Sequence, residues 1–517
     1  MVCAVSVNCH LYTIGCGTFV PRELSHALRP SKIRDFSLLY VVAFTSRIYE
    51  KAKLTSDGQA LRSADDPYKR PLYPLEVRDD WRQLLHKICK QTSNTPTVLI
   101  CGQKSVGKST LSRLFINRLL TQPSSSPPTQ TRGSVFLLDL DPGQPEFTVP
   151  GQLSLVNIQE PIFGPPFTQA SPGASNYVVR AHSIAATTPA ENTEHYLACA
   201  LDLAGHALRR ASSEGPRPIV INCPGWYMGV GIDIVKELIR SIPSVTDVIA
   251  LTPSMGRIEE KVTATAKEAK VRLHFLAPQA DSGSESRTAA EFREMQMISY
   301  FHHQQGESGP LLLPEPISAR RPYEVSYAEG SSGFVGIMDY TEFPSMKFVG
   351  TLLNGSIVAI VEVEDEGELA GREVTRENDM QIPFIKPGPD GWTAPLSPGR
   401  SRLLGLGLIR SIAVQHQALH LLTPLPADAV SALDAARLVL VRGSFDTPAW
   451  AFKEEVYWQE AGEQRIRRPG VSGGGELEFG DASERGNYGQ ARPWVRRVAG
   501  SEGGGLVGAS WRTRRFQ

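Results

Sequence analysis

Hydrophobic and polar positions in the middle of the chain predict a parallel β-sheet with helices between its strands. Short apolar runs, typical of strands buried on both faces, alternate with stretches whose apolar residues recur at helical spacing. The predicted strands are residues 97–101, 135–139, 218–222, 245–251 and 271–276, and the later helices are 194–211, 232–242 and 258–269. This alternation indicates a doubly wound α/β fold, whose ligands bind at the carboxyl ends of the strands.

The patterning also divides the chain into four predicted parts. Residues 1–75 form a short N-terminal region of β type, and residues 76–305 hold the parallel sheet with an amphipathic helix before it. Residues 306–452 contain β-type runs at 348–364, 405–414, 418–422 and 438–441, separated by turn residues, which predict a small antiparallel barrel or sandwich. Residues 453–517 are rich in Gly and Arg without an apolar period, so we predict a disordered tail.

The segment between the first strand and its helix fits the phosphate-binding pattern G-x-x-x-x-G-K-[ST]. Glycines let backbone N–H groups turn towards a polyphosphate, and the following helix directs its positive end at the same anion. Lys108 would reach the β- and γ-phosphates, and the Ser109 hydroxyl would ligate Mg²⁺. A chance match is the alternative. The predicted nucleotide-binding residues are Gly102, Gln103, Lys104, Ser105, Val106, Gly107, Lys108, Ser109 and Thr110. A guanine-specific N-K-x-D element is absent from the chain, which favours ATP.

Two aspartates follow the second predicted strand, where a phosphate loop needs a carboxylate to organise Mg²⁺. Asp139 and Asp141 stand two residues apart at this strand end. One can hold the metal, and the other can accept the proton of an attacking hydroxyl, as a catalytic aspartate does in kinases. Gln144 is a candidate for orienting the nucleophile or the γ-phosphate. The alternative is a solvated turn at the strand end.

Three further residues have both a structural and a functional interpretation. Trp226 follows the strand predicted at 218–222, and is either a core residue or a platform on which a nucleic-acid base stacks. Arg287 and Arg293 follow a Ser/Gly stretch. They are either solvated helix charges or lid residues that neutralise the transferring phosphoryl group.

Composition restricts the possible partners. The 54 basic and 54 acidic residues give no net charge, so nucleic acid must be bound by a local surface and not by overall charge. The seven cysteines are scattered and contain no C-x-x-C pair, which argues against a disulfide framework or zinc ribbon. The longest apolar run, residues 36–44, is too short to span a bilayer, so no membrane association is expected.

Taken together, these motifs resemble the polynucleotide 5′-hydroxyl kinase family. The resemblance rests on GQKSVGKST, DLDPGQPEF, INCPGW, QMISYFHH and GLGLIRSI with LHLLTPLP, and extends over residues 79–452. It is stronger to the nucleolar branch that processes ribosomal RNA than to the sister branch in messenger-RNA 3′-end cleavage. The resemblance implies ATP and Mg²⁺ as cofactors, an RNA with a 5′-hydroxyl end as substrate, and a location in the nucleus and nucleolus.

The resemblance also assigns roles at matching positions. Asp141 matches the general base and Asp139 the supporting acid that also holds the metal, while Gln144 and Trp226 match substrate-binding residues. Arg287 and Arg293 match lid arginines. The family's nucleolar members work in a complex with an endoribonuclease that cuts a spacer of the ribosomal RNA precursor. Two other functions remain open: an ATP-binding scaffold of such a complex without turnover, and a P-loop NTPase that drives assembly.

Overall fold

The fold is described from a computed structural model. It describes residues 77–90, 95–121, 133–169, 175–226, 228–252, 257–279, 288–306, 309–313, 315–330, 333–341, 348–452 and 454. The predicted N-terminal region, Arg287 and the predicted tail beyond 454 lie outside these residues. Among the described helices, none combines the length and the apolar character that crossing a bilayer requires.

A seven-stranded sheet forms the centre of the first part of the chain, with strand order β4-β3-β2-β5-β1-β6-β7. The strands are β1 (Thr97–Gly102), β2 (Val135–Asp139), β3 (Gln152–Ile158), β4 (Tyr177–Ser183), β5 (Ile219–Asn222), β6 (Asp247–Leu251) and β7 (Arg272–Leu276). The five strands predicted from the sequence are confirmed and pair in parallel. β3 and β4 were not predicted, and β3 runs antiparallel to both of its neighbours.

The part of the chain that the structure describes contains six helices in the region of this sheet and two short ones later. They are α1 (Asp79–Cys89), α2 (Lys108–Thr121), α3 (Thr193–Glu214), α4 (Val230–Ser241), α5 (Arg257–Glu268), α6 (Ala289–His302), α7 (Val349–Leu353) and α8 (Ala427–Ser431). The side chain of Asn192 accepts a hydrogen bond from the backbone N–H of His195 and so caps α3. These bounds confirm the helices predicted within the sheet region, with ends shifted by a few residues.

The parallel sheet has a separate hydrophobic core on each face because side chains alternate along every strand. Leu99 and Phe136 point to one face, where they pack with α3 and α4 residues such as Leu203. Val98 and Leu137 point to the other face and pack with α1 and α2. Burial on both faces explains why the strands read as continuous apolar runs in the sequence.

A second sheet of eight strands contains residues 323–442, with order β10-β16-β15-β12-β17-β11-β14-β13. Its strands are β10 (Tyr323–Ser326), β11 (Gly336–Asp339), β12 (Ile357–Val363), β13 (Val374–Arg376), β14 (Pro383–Ile385), β15 (Ser401–Ala413), β16 (Ala418–Leu422) and β17 (Leu438–Arg442); a separate hairpin is formed by β8 (His303–Gly306) and β9 (Gly309–Leu312). The prediction of an antiparallel barrel or sandwich is wrong in detail, because the sheet also contains parallel pairs. β11 pairs in parallel with β14 and β17, and the start of the run predicted at 348–364 is helix α7.

The two sheets lie in one compact unit, which spans the described residues up to 313 and from 321 to 447. Arg180 on β4 connects them, since its guanidinium donates to Asp202 on α3 and to Glu364 beyond β12. A β-bridge also joins Ala186 to Ser444. The described residues 315–320 and 448–454 form a second unit, in which the N–H of Ile317 donates to Glu454.

Candidate active site

The phosphate loop leaves β1 in a conformation that only glycine accommodates at two positions. Gly102 has φ of +146°, and a Cβ there would lie 2.4 Å from the carbonyl oxygen of Leu251. Gly107 has φ of +99°, and Ser105 between them also has a positive φ of 65°. Positive φ values at these three positions let the backbone N–H groups of the loop turn to a common side, which is the geometry that holds phosphate oxygens.

Trp81 on α1 packs against this loop, a contact that the sequence did not indicate. A Cβ on Gly107 would lie 2.9 Å from Cη2 of Trp81, so the indole ring contacts the loop directly. Its Nε1–H donates to the carbonyl oxygen of Ala277 at 2.8 Å, and the side chain is fully buried. The sequence predicted only an amphipathic helix before the sheet and gave Trp81 no role at the loop.

Lys108 begins α2 and folds back over the loop that precedes it. Its Nζ donates to the carbonyl oxygen of Gln103 at 2.7 Å, and only 6% of the residue is exposed. Burial lowers the pKa of Lys108, while the nearby carboxylate of Asp141 opposes that shift. The phosphate-loop lysine and the predicted base are thus electrostatically coupled.

Asp139 ends β2 and is completely buried. Its Oδ2 accepts the backbone N–H of Glu146 at 2.6 Å, and its Oδ1 accepts the side-chain amide of Asn222 at 3.1 Å. Burial raises the pKa of Asp139 to about 7, against the opposing effect of these two hydrogen bonds. Asn222 was not predicted as a site residue, although a polar residue at the carboxyl end of an apolar strand is a signal that could have found it.

Asp141 lies two residues beyond the end of β2 and is partly exposed. Its Oδ1 accepts the backbone N–H groups of Gly143 at 3.0 Å and Gln144 at 3.3 Å. Burial raises the pKa of Asp141, and the positive charges of Lys108 and Lys104 oppose the rise. The carboxylate is therefore held in a turn beside two lysines, while the Gln144 side chain is exposed.

Two buried contacts fix the segment that follows Asp141, and neither was predicted from the sequence. Arg113 on α2 forms an ion pair with Glu146, with Nη2 2.7 Å from Oε2. Gln296 on α6 donates to the carbonyl oxygen of Pro145 at 2.7 Å and also to that of Thr148. The aspartate segment is thus attached to the helix that carries Lys108 and to α6.

Trp226 lies in the connection between β5 and α4, and 39% of it is exposed. The alternative that it is a core residue is therefore wrong. The preceding Gly225 contacts the phosphate loop, since a Cβ there would lie 2.9 Å from Cα of Lys104. Met228 and Val230 are also exposed, so an apolar surface borders the loop.

Of the two predicted lid arginines, the structure describes only Arg293. It lies on α6, and its Nε donates to Asp446. Arg293 therefore pairs with a carboxylate in the segment after β17, and it lies on the helix that also contacts the aspartate segment. Its role in charge neutralisation stays a prediction.

The residues of the site fit a magnesium ion. Mg²⁺ prefers oxygen ligands, and the site offers the Ser109 hydroxyl and the carboxylates of Asp139 and Asp141. The Oδ1 atom of Asn222, at the same edge of the sheet, is buried and has no hydrogen-bond partner among the described residues. A hydrated cation would supply the missing donor through a bound water.

Comparison with known proteins gives consistent matches. Residues 102–303 match the family described as mRNA cleavage and polyadenylation factor CLP1 P-loop. The chain is 35% identical to the polynucleotide 5′-hydroxyl-kinase grc3 of Emericella nidulans, over 88% of this chain and 62% of that protein. It is 37% identical to the corresponding protein of Gibberella zeae, over 78% of this chain and 57% of that protein. A solved wild-type Clp1p–Pcf11p complex is similar with a TM-score of 0.48 and 18% identity, over 72% of this chain and 80% of that one.

The chain spans less than two thirds of the length of these two relatives. The matched region nevertheless contains the phosphate loop, the aspartate pair and Trp226. In this region the chain is similar to proteins of the Grc3/Clp1 family, whose matched members are named polynucleotide 5′-hydroxyl kinases.

Proposed function

We propose that the chain is an ATP-dependent kinase that phosphorylates RNA 5′-hydroxyl ends during the processing of ribosomal RNA precursors. The observation that carries this proposal is the meeting of three groups at one edge of the parallel sheet. Buried Lys108 and the Asp139–Asp141 pair lie beside the phosphate loop, and exposed Trp226 adjoins the same loop. A phosphate site, a base and an aromatic platform are what transfer of a phosphoryl group to a nucleic-acid end requires.

In this mechanism the phosphate-loop N–H groups and Lys108 hold the β- and γ-phosphates of ATP. Trp226 stacks on the terminal base and so places the 5′-hydroxyl near Asp141. Asp141 accepts the hydroxyl proton while the 5′-oxygen attacks the γ-phosphorus in line and the bond to the β-phosphate oxygen breaks. The lysines beside Asp141 oppose the effect of burial on its pKa and thus keep a larger fraction of it ionised.

Ser109 and Asp139 would hold Mg²⁺. When bound, the ion neutralises charge on the phosphate oxygens. Asn222 and the backbone of Glu146 keep both oxygens of Asp139 in fixed positions, so this carboxylate does not have to reorganise when nucleotide binds.

The decisive measurement is transfer of labelled γ-phosphate from ATP to an RNA oligonucleotide with a 5′-hydroxyl end. We expect transfer by the wild type and a loss of about 10²-fold or more in Lys108→Met, because one fixed donor to the transition state is removed. Lys236→Met, which removes a partly exposed lysine paired with Asp233 on α4, is the matched control and should retain activity.

Two other results would support the remaining candidates. ATP binding without transfer would identify a nucleotide-binding scaffold, and phosphate release to water alone would identify an NTPase. Kinase activity is favoured by the similarity to relatives that are named polynucleotide 5′-hydroxyl kinases.

The biological setting is part of the same proposal and rests on the resemblance to the nucleolar branch. The chain would reside in the nucleolus, within a complex whose endoribonuclease creates the 5′-hydroxyl end in a spacer of the ribosomal RNA precursor. Depletion of the protein should then cause precursors with an unphosphorylated 5′ end to accumulate. Precursors that remain fully phosphorylated after depletion would contradict this setting.

A further inference from the structure

A cavity of about 850 Å³ lies where the loop of residues 386–395 faces the segment that precedes α3. Its volume is in the range of about 300–1,000 Å³ that is usual for binding sites. The phosphate loop, the aspartate pair and Trp226 do not contribute to its lining, so it is separate from the candidate active site.

The walls of the cavity are rich in rigid apolar groups. Three prolines, Pro387, Pro389 and Pro395, line it together with Tyr340 and Trp392. Trp392 is 48% exposed, an unusual exposure for so large an apolar side chain. Grooves lined with aromatic side chains bind extended, proline-containing peptides, because such peptides are already ordered before they bind.

A polar side chain in the wall of the cavity has no hydrogen-bond partner among the described residues. Thr393 is only 6% exposed, and its hydroxyl has no hydrogen-bond partner within the described part of the chain. A buried hydroxyl without a partner destabilises the folded protein, because it has lost its hydrogen bonds to water. A ligand that offers a backbone N–H or carbonyl group at this point would remove that cost.

The charges on the walls favour a basic ligand. Nζ of Lys386 lies 3.0 Å from Oε2 of Glu373. Arg372 forms an ion pair with Glu368, with Nη2 2.8 Å from Oε1. Asp390 forms no ion pair with any residue that the structure describes, and its Oδ1 accepts the backbone N–H of Trp392. The lining holds three acidic residues, Glu191, Glu373 and Asp390, against two basic ones, Arg372 and Lys386. This excess of negative charge disfavours the phosphates of a nucleic acid.

We propose that this cavity is a docking site for an extended, proline-containing peptide segment of a partner protein. A lysine or arginine of the peptide pairs with Asp390, its prolines pack on Trp392, and its backbone meets the Thr393 hydroxyl. The site operates whether or not the chain transfers phosphate, so the proposal stands apart from the proposed function.

The test uses the full chain and a phage library of random twelve-residue peptides, without assuming a partner. We expect the enriched peptides to contain proline and a lysine or arginine. A synthetic copy of an enriched peptide, measured by fluorescence polarisation, should lose about tenfold or more in affinity with Trp392→Ala, since a central aromatic contact dominates such interfaces. Asp390→Asn keeps the oxygen that accepts the N–H of Trp392 and removes the charge, so it should weaken only peptides with a basic residue.

Phe348→Ala is the matched control, because Phe348 is 59% exposed and does not line the cavity. Its affinity for the peptide should equal that of the wild type. Failure of the library to enrich any such peptide, or equal binding by all variants, would overturn the proposal. Weaker binding of a 5′-hydroxyl RNA by Trp392→Ala, with peptide binding unchanged, would instead identify an RNA site and also overturn it.

Discussion

At the scale of single residues, Asp141 and Gln144 have different expected effects on phosphoryl transfer. Asp141→Asn keeps the Oδ1 that accepts the N–H groups of Gly143 and Gln144, but it cannot accept a proton. We expect it to lower kcat by about 10²–10⁴-fold, the usual contribution of a positioned general base. Gln144→Ala, at an exposed position, should cost less. Equal and mild losses in the two variants would move the base to another residue.

Asp139 gives a prediction for stability as a function of pH. Burial raises its pKa from 3.8 to about 7, so the folded protein holds a proton that the unfolded chain has already lost. The free energy of unfolding of the wild type should therefore fall by about 1.4 kcal/mol per pH unit between pH 4 and 7, relative to Asp139→Asn. Chemical denaturation with EDTA present measures this slope. A wild type that becomes more stable than the variant over this range would show that the two hydrogen bonds outweigh burial.

Trp226 should affect RNA binding without affecting stability. Because its side chain is 39% exposed, Trp226→Ala should leave the melting temperature unchanged. It should weaken binding of a 5′-hydroxyl oligonucleotide by about 1–3 kcal/mol, the usual contribution of one base–aromatic stack. Trp226→Phe should restore much of the loss, and ATP affinity should be unaltered. Parallel losses of RNA and ATP binding would exclude stacking as the function of this residue.

At the scale of elements, the Arg113–Glu146 pair attaches α2 to the segment that follows Asp141. Both side chains are about 95% buried, so neither charge can be solvated when the other is removed. Arg113→Met should therefore reduce the free energy of unfolding by about 3–5 kcal/mol. The double variant Arg113→Met with Glu146→Gln should be more stable than Arg113→Met alone. A double variant whose losses are simply additive would mean that the two charges do not interact.

The elements that could be predicted from the sequence are those whose burial follows from local pattern. β1, β2 and β5 to β7 are apolar runs between glycine, proline and polar residues, and their order along the chain indicated a parallel sheet. β3 was missed because it carries Gln152, Ser154 and Asn157, which are buried although polar. Helix α7 was taken for a strand because Val349 and Leu353 fit either periodicity in so short a run.

The same distinction applies to the candidate site. The phosphate loop is a continuous motif whose conformation follows from its glycines, so the sequence was sufficient to predict it. Asn222 and Gln296 contact the aspartate segment from 83 and 151 positions away in the chain. Such contacts depend on how strands and helices pack, and a single sequence does not encode them in any local pattern.

At the scale of the whole molecule, Arg180 joins the two sheets. Four of its five hydrogen bonds go to Glu364, Pro398 and Ser401, and the fifth goes to Asp202 on α3. The Arg180 side chain is 8% exposed, and it binds two carboxylates and two carbonyl oxygens at once. We expect Arg180→Met to reduce the free energy of unfolding by about 3–5 kcal/mol, because Asp202 keeps a largely buried charge. Arg180→Lys should restore little, since an ammonium group lacks the planar set of donors that guanidinium offers.

Glu364→Gln is the matched control for this connection. The Glu364 side chain is 36% exposed, so water can solvate what remains after the charge is removed. Its cost should be only about 0–1 kcal/mol, because the Gln side chain keeps an oxygen that can accept from Arg180 and the bonds to Pro398 and Ser401 remain. Denaturation followed by tryptophan fluorescence and by circular dichroism should coincide in the wild type and separate in Arg180→Met, because the sheets then unfold independently. Coincident transitions and equal losses in both variants would mean that Arg180 contributes no more than a surface ion pair and that other contacts couple the two sheets.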